Sequence, residues 1–240
     1  MKNKKKNMAL CILLGIVLLI SGIALWQADN INAVINSFKY TQEELSEMIN
    51  KNQEELNREV QEKYNVVDDF SAEDEAKIMS GEMTVEEAIE KKKEEAEKKQ
   101  KENIQNEDKN NTAKQTGTKV SPEAKKKTDA IVSERIIEFY SLKAYYLGQL
   151  GQMEAKVKAD YAALPKEKRN LVGKQELVSK YMSVATSLLN QCDAKMAQLT
   201  AELEKEIKAV GGDTSIVGTI KKTYENEKNL KKSYYISKLK

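Results

Sequence analysis

No histidine occurs anywhere in the chain. That removes the commonest general base, the commonest metal ligand and every Ser–His or Cys–His nucleophile pair. Two prolines and ten glycines among 240 residues leave few places to turn the backbone. Set beside 32% charged side chains, that scarcity predicts long helices and an all-α fold. The two cysteines, Cys11 and Cys192, offer no zinc spacing. One lies in an apolar run and the other in a distant helical segment, which argues against an intrachain disulfide. One tryptophan and three phenylalanines give little aromatic surface for stacking a sugar. Carboxylates abound, so no pair of them stands out, and a glycosidase pair would need a cleft holding two at ~5–10 Å. No catalytic residue, cofactor or metal ion is therefore expected. Arginine is scarce beside Lys, Glu, Asn and Ile, a balance that suits an AT-rich bacterial genome.

One long apolar run is present, from Met8 to Trp26, directly after the basic cluster Lys2, Lys4, Lys5 and Lys6. About 19 residues rising ~1.5 Å each approach the ~30 Å hydrocarbon core of a bilayer. The run predicts a single transmembrane helix, with Leu10, Ile12, Leu13 and Leu14 in the lipid and Trp26 at its interface. The lysine bias then places residues 1–7 in the cytoplasm and everything after Trp26 outside the membrane. The competing reading is a signal peptide cleaved after Ala24, with Gly22 and Ala24 as the small residues before the site and a secreted product. Against it, the apolar run continues through that site to Leu25 and Trp26.

The formal charge of +2 conceals an asymmetry. Residues 41–108 carry 22 acidic against 10 basic side chains, whereas the chain from 109 onward is net basic. Residues 27–104 read as an acidic helical stalk. Ile31, Val34, Ile35 and Phe38 recur at helical spacing, and Thr41 with Glu44 makes a capping box for a helix to about Tyr64. Its thin stripe of Leu45, Met48, Ile49, Leu56 and Val60, interrupted by Asn52, suits a coiled coil. Ser71 and Thr84 are N-cap candidates with Asp74 and Glu87 three residues on, and Gly81 is a C-cap candidate between them. Ile78, Met79, Met83, Val85, Ala88 and Ile89 then close a two-helix turn around Phe70, with too little apolar surface to stand alone. Residues 105–128 are polar and read as a flexible linker; the sequon at Asn110 is taken as coincidence.

Residues 129–240 are expected to form a basic α-helical domain, an antiparallel helical hairpin or three-helix bundle. Val132, Ile136, Phe139, Tyr146, Leu150, Met153, Val157 and Leu164 follow 3–4 spacing, with Lys143 and Asp160 as polar breaks. Pro165 ends that helix. The next seam runs through Val178, Met182, Ala185, Leu189, Cys192, Met196, Leu199, Leu203 and Val210. Gly211 and Gly212 close it, Asp213 or Thr214 caps the third helix, and Ile216, Ile220, Tyr224 and Leu230 are that helix's apolar positions. Cys192, on the seam, reads as a small buried hydrophobe. The stretch Gly211 to Ser215 lacks phosphate-loop spacing and reads as consecutive caps.

The last helix carries the one patterned surface. Lys221, Lys222, Lys228, Lys231, Lys232, Lys238 and Lys240 face only Glu225 and Glu227, with Tyr224, Tyr234 and Tyr235 interleaved. Lysines among aromatics can hold an anionic polymer or lipid surface, or an acidic protein; nucleic acid is disfavoured by the expected compartment. The sequence thus predicts a non-enzymatic, membrane-anchored extracytoplasmic helical protein. It acts as an envelope tether, scaffold or accessory subunit through contacts with an envelope protein or a second copy of itself. The alternative is a module whose basic C-terminal helix binds an anionic wall polymer or lipid surface.

Overall fold

The computed structural model describes residues 30–64, 66–107 and 121–237. All regular structure among the described residues is helical: α1 (Asn30–Lys39), α2 (Gln42–Tyr64), α3 (Ala72–Ser80), α4 (Val85–Glu107), α5 (Pro122–Ala163), α6 (Leu171–Ala209) and α7 (Ser215–Ser237), with one 3-10 turn at Lys166–Lys168.

The helices begin where side chains replace the missing backbone acceptors. At α2, Thr41 N donates to Glu44 Oε2 at 2.7 Å and Glu44 N donates to Thr41 Oγ1 at 3.1 Å. Thr84 and Glu87 repeat that reciprocal box at α4. Ser71 accepts from Asp74 N, Ser121 from Ala124 N, and Asn170 from both Val172 N and Gly173 N. Gly81 ends α3 at φ 79°, in the left-handed region where a side chain is strained.

The chain divides into two units. The first comprises residues up to Glu55 together with Lys222 onward. Its core is Leu45 and Ile49 of α2 against Leu230 of α7, flanked by Tyr40, Met48 and Tyr234. Asn52 Nδ2 donates to Thr223 O at 3.1 Å, so the interruption in the α2 stripe is a polar layer of this helix pair. In α1 the buried residues are Ala33 and Ser37, while Ile35 and Phe38 are exposed. The buried face is thus rotated onto small residues, and Ser37 Oγ donates to Val34 O at 2.8 Å.

The second unit is Leu56–Lys221. Here α5 and α6 pack along each other, and α3 and α4 both pack on α5. Glycines make that packing close: a Cβ on Gly151 would run into the backbone of Met79, and one on Gly148 would lie 2.9 Å from Val85 Cγ2. The expected division into stalk, linker and distal domain is therefore corrected. Residues 66–99, read as stalk, share a core with α5, because Phe70, Ile78 and Ala88 can bury themselves only against another element. Helix α5 starts at Pro122, inside the stretch read as linker, since Ser121 caps it and Pro suits the first helical position. Residues 108–120 of that stretch lie outside the described residues.

The membrane placement is also corrected. Among the described residues no helix is long and apolar enough to cross a membrane. The run from Met8 to Trp26, including Leu10, Ile12, Leu13, Leu14 and Trp26, lies outside the described residues. The single-pass placement and its orientation therefore have no support in the described structure.

Candidate functional site

The most heavily engineered part of the second unit is not a helix. Residues 66–70 have no regular structure, yet Val66, Val67, Asp69 and Phe70 are all buried. Buried irregular backbone must find partners for its amides and carbonyls, and here side chains from three helices supply them. Lys99 Nζ of α4 donates to Val66 O at 2.9 Å, Tyr140 Oη of α5 donates to Val67 O at 2.9 Å, and Lys92 Nζ of α4 donates to Asp69 O at 3.3 Å. Asp69 N donates to Asn57 Oδ1 of α2 at 2.9 Å, and Phe70 N donates to Asp69 Oδ1 at 2.7 Å. The Phe70 ring lies 6.1 Å from the Tyr140 ring and 5.4 Å from Lys92 Nζ.

Asp69 is the hub of this strap. Its Oδ2 meets Lys143 Nζ at 2.5 Å, and the same ammonium meets Glu75 Oε1 of α3 at 2.6 Å. The Asp69 side chain is 5% exposed and that of Lys143 15%. Burial pushes the Tyr140 hydroxyl well above its ordinary range, with the Asp69 charge acting in the same direction and Lys143 against it. Sequence reasoning marked Phe70 as a centre and Lys143 as a polar break. It missed Asp69 and its meeting with Lys143, because the two are 74 residues apart and neither belongs to a local motif.

The lysines and tyrosines singled out on α7 fall in different surroundings. Lys228 Nζ pairs with Glu225 at 2.8 Å and lies 5.1 Å over the Tyr224 ring, and Lys231 pairs with Glu227 at 2.8 Å. Tyr234 packs on the Leu45–Ile49–Leu230 core and meets the Tyr235 ring edge-on. In the other unit, Lys221 Nζ stands 4.0 Å from Glu204. Lys222 is exposed and Lys232 half-buried. Lys238 and Lys240 lie outside the described residues. The candidates thus do not converge on one cationic face: several answer carboxylates of this chain, and one tyrosine is spent on packing.

Ahead of α7, Ser215 N donates to Asp213 Oδ1 at 2.9 Å, so the Gly211–Ser215 stretch carries its own carboxylate as cap. Nearby, burial raises the Tyr64 hydroxyl to about 12, with Asp213 and Asp129 adding to the effect and a Ser215 hydrogen bond opposing it. Beyond Gly151, α5 runs along α6 toward the turn at Pro165. Lys180 Nζ and Tyr181 Oη both donate to Asp160 Oδ2 at 2.7 Å, which holds that carboxyl below its usual range. The polar break at Asp160 is therefore a cross-helix tie. Leu177 and Tyr181 are buried along this stretch, whereas Met153, Val157, Leu164, Met182, Leu188, Leu189 and Cys192 are half-buried. Val172 and Val184 stand 61% and 51% exposed. Among the described residues no group of three His, Cys, Asp or Glu side chains is placed to hold a metal ion.

Compared with known proteins, the chain matches no family model, no curated protein and no solved structure.

Proposed function

We infer that the chain is a non-enzymatic helical scaffold or accessory subunit that works by contacting another protein through the outer half of the α5–α6 hairpin. The observation that carries this reading is the apolar seam beyond Gly151. Seven of its side chains are only half-buried, and Val172 and Val184 lie open beside them. Two helices bury a stripe on each other but leave its flanks wet, so a further helix laid along the hairpin gains the remaining apolar area. The tie from Asp160 to Lys180 and Tyr181 fixes the two helices in register, and with them the contact surface.

Polyanion binding draws less support, because Lys228 and Lys231 of α7 have carboxylate partners within the chain. A photo-crosslinking residue at Val184, carried by the full chain in its own cells, should give one discrete protein adduct. The same residue at exposed Glu62 should give none. Adducts of equal diversity from both positions would overturn the reading.

A further inference from the structure

The buried strap supports an inference independent of the contact surface. We propose that residues 66–70 and α3 form a charge-held latch that can leave α5 while the α5–α6 pair stays folded. The strap's attachment has an unusual basis. It joins no sheet and continues no helix, so beside the burial of Val66, Val67 and Phe70 its fixation rests on side-chain donors and on one shared ammonium. Lys143 of α5 binds both Asp69 of the strap and Glu75 of α3, and so fastens the strap and α3 to the same helix.

The other charged and titratable groups around the latch come from each element packed there. Asp68 lies beside Asp69 in the strap and bonds Gln61 of α2. Asp74 of α3 is bound by Lys91 of α4, with its two oxygens at 2.8 and 2.9 Å. Lys92 of α4 pairs with Glu95 at 2.7 Å, Lys99 of α4 donates to Val66 O at 2.9 Å, and Tyr140 of α5 stands over the strap. Acidification removes the negative charge of Asp69 and Glu75 and sets two neutral groups against the Lys143 ammonium in place of two carboxylates, an arrangement costlier than the ion pairs. Moving the strap and α3 aside lets water reach that ammonium. The face uncovered is the one that holds Tyr140 and Gly151, where the strap and the end of α3 approach α5.

Hydrogen exchange of the full chain, corrected for the intrinsic rate at each pH, tests the latch. As pH falls from about 5 to about 2, through and below the ordinary carboxylate range of about 4, residues 66–80 should lose protection before residues 196–207 of α6 do. At pH 7 the double substitution Asp69→Asn with Glu75→Gln should speed exchange in residues 66–80 by at least about tenfold, a modest part of what breaking a buried pair costs. Adding Lys143→Met should return exchange toward the parent rate, since an apolar side chain removes the stranded charge. Parent-like exchange in the double variant, an equal rise in residues 196–207, outright unfolding of the double variant, or no rescue by Lys143→Met would each overturn the proposal.

Discussion

At the scale of single residues, the fold depends on polar side chains that bury themselves at little cost. Thr200 is 1% exposed and Ser233 0%, positions that a hydrophobic pattern passes over. Each hydroxyl answers a carbonyl one turn back, Thr200 on Met196 O at 2.9 Å and Ser233 on Asn229 O at 2.7 Å. A small satisfied hydroxyl keeps neighbouring helices close without leaving an unpaired group. Tyrosine shows the same economy with a titration consequence. Burial raises the Tyr64 hydroxyl to about 12, so the folded state favours the neutral phenol more than the unfolded chain does, whose tyrosines ionise near 10. Its contribution to stability is complete below pH ~10 and is lost as pH rises through about 12. Tyr140, pushed up further by burial, adds in the same direction. In a tyrosinate absorbance titration, Tyr64 and Tyr140 should therefore ionise late and together with loss of helical circular dichroism. The Tyr64→Phe variant should show a shallower fall in melting temperature above pH ~10; an unchanged alkaline slope would sink this account of Tyr64.

At the scale of elements, α6 shows which register was legible. The seam expected through Met196 and Leu203 is the buried one, but its inner half also uses Thr200 and Ile207, while Leu189 and Leu199 are only half-buried. Leu203→Ala should cost about 2–5 kcal/mol, because it empties a fully enclosed site. Leu189→Ala should cost clearly less, because water already reaches that side chain. Urea melts of the two variants check this, and equal losses would place the seam wrongly. The helix boundaries could be read from sequence because capping is local: the Thr41, Ser71 and Thr84 caps and the stop at Pro165 each sit within four residues of their partners. The phase of α1 could not, because Ala33 and Ser37 are buried for their smallness rather than their hydrophobicity. Nor could the strap, whose bonds join residues up to 74 positions apart.

At the scale of the molecule, the acidic and basic stretches of the sequence meet within the first unit. Acidic α2 and basic α7 are partners there, joined by Leu45, Ile49 and Leu230 and by the Asn52–Thr223 and Gln53–Glu227 hydrogen bonds. The lysines that suggested an external polyanion sit on a helix already committed to its own chain. In the second unit, residues 66–99 complete the core of α5 rather than standing off as a stalk, and the outer α5–α6 hairpin carries the half-covered apolar seam. We propose this seam as the working surface. Its most direct test is the size, by sedimentation velocity at physiological salt, of the complex that the full chain forms in extracts of its own cells. Val172→Glu with Val184→Glu should shift the chain from complex to free protein. Its melting temperature should stay near the parent's, since exposed helix positions contribute within about 0.5 kcal/mol. A complex of unchanged size, with both glutamates in place, would contradict the claim.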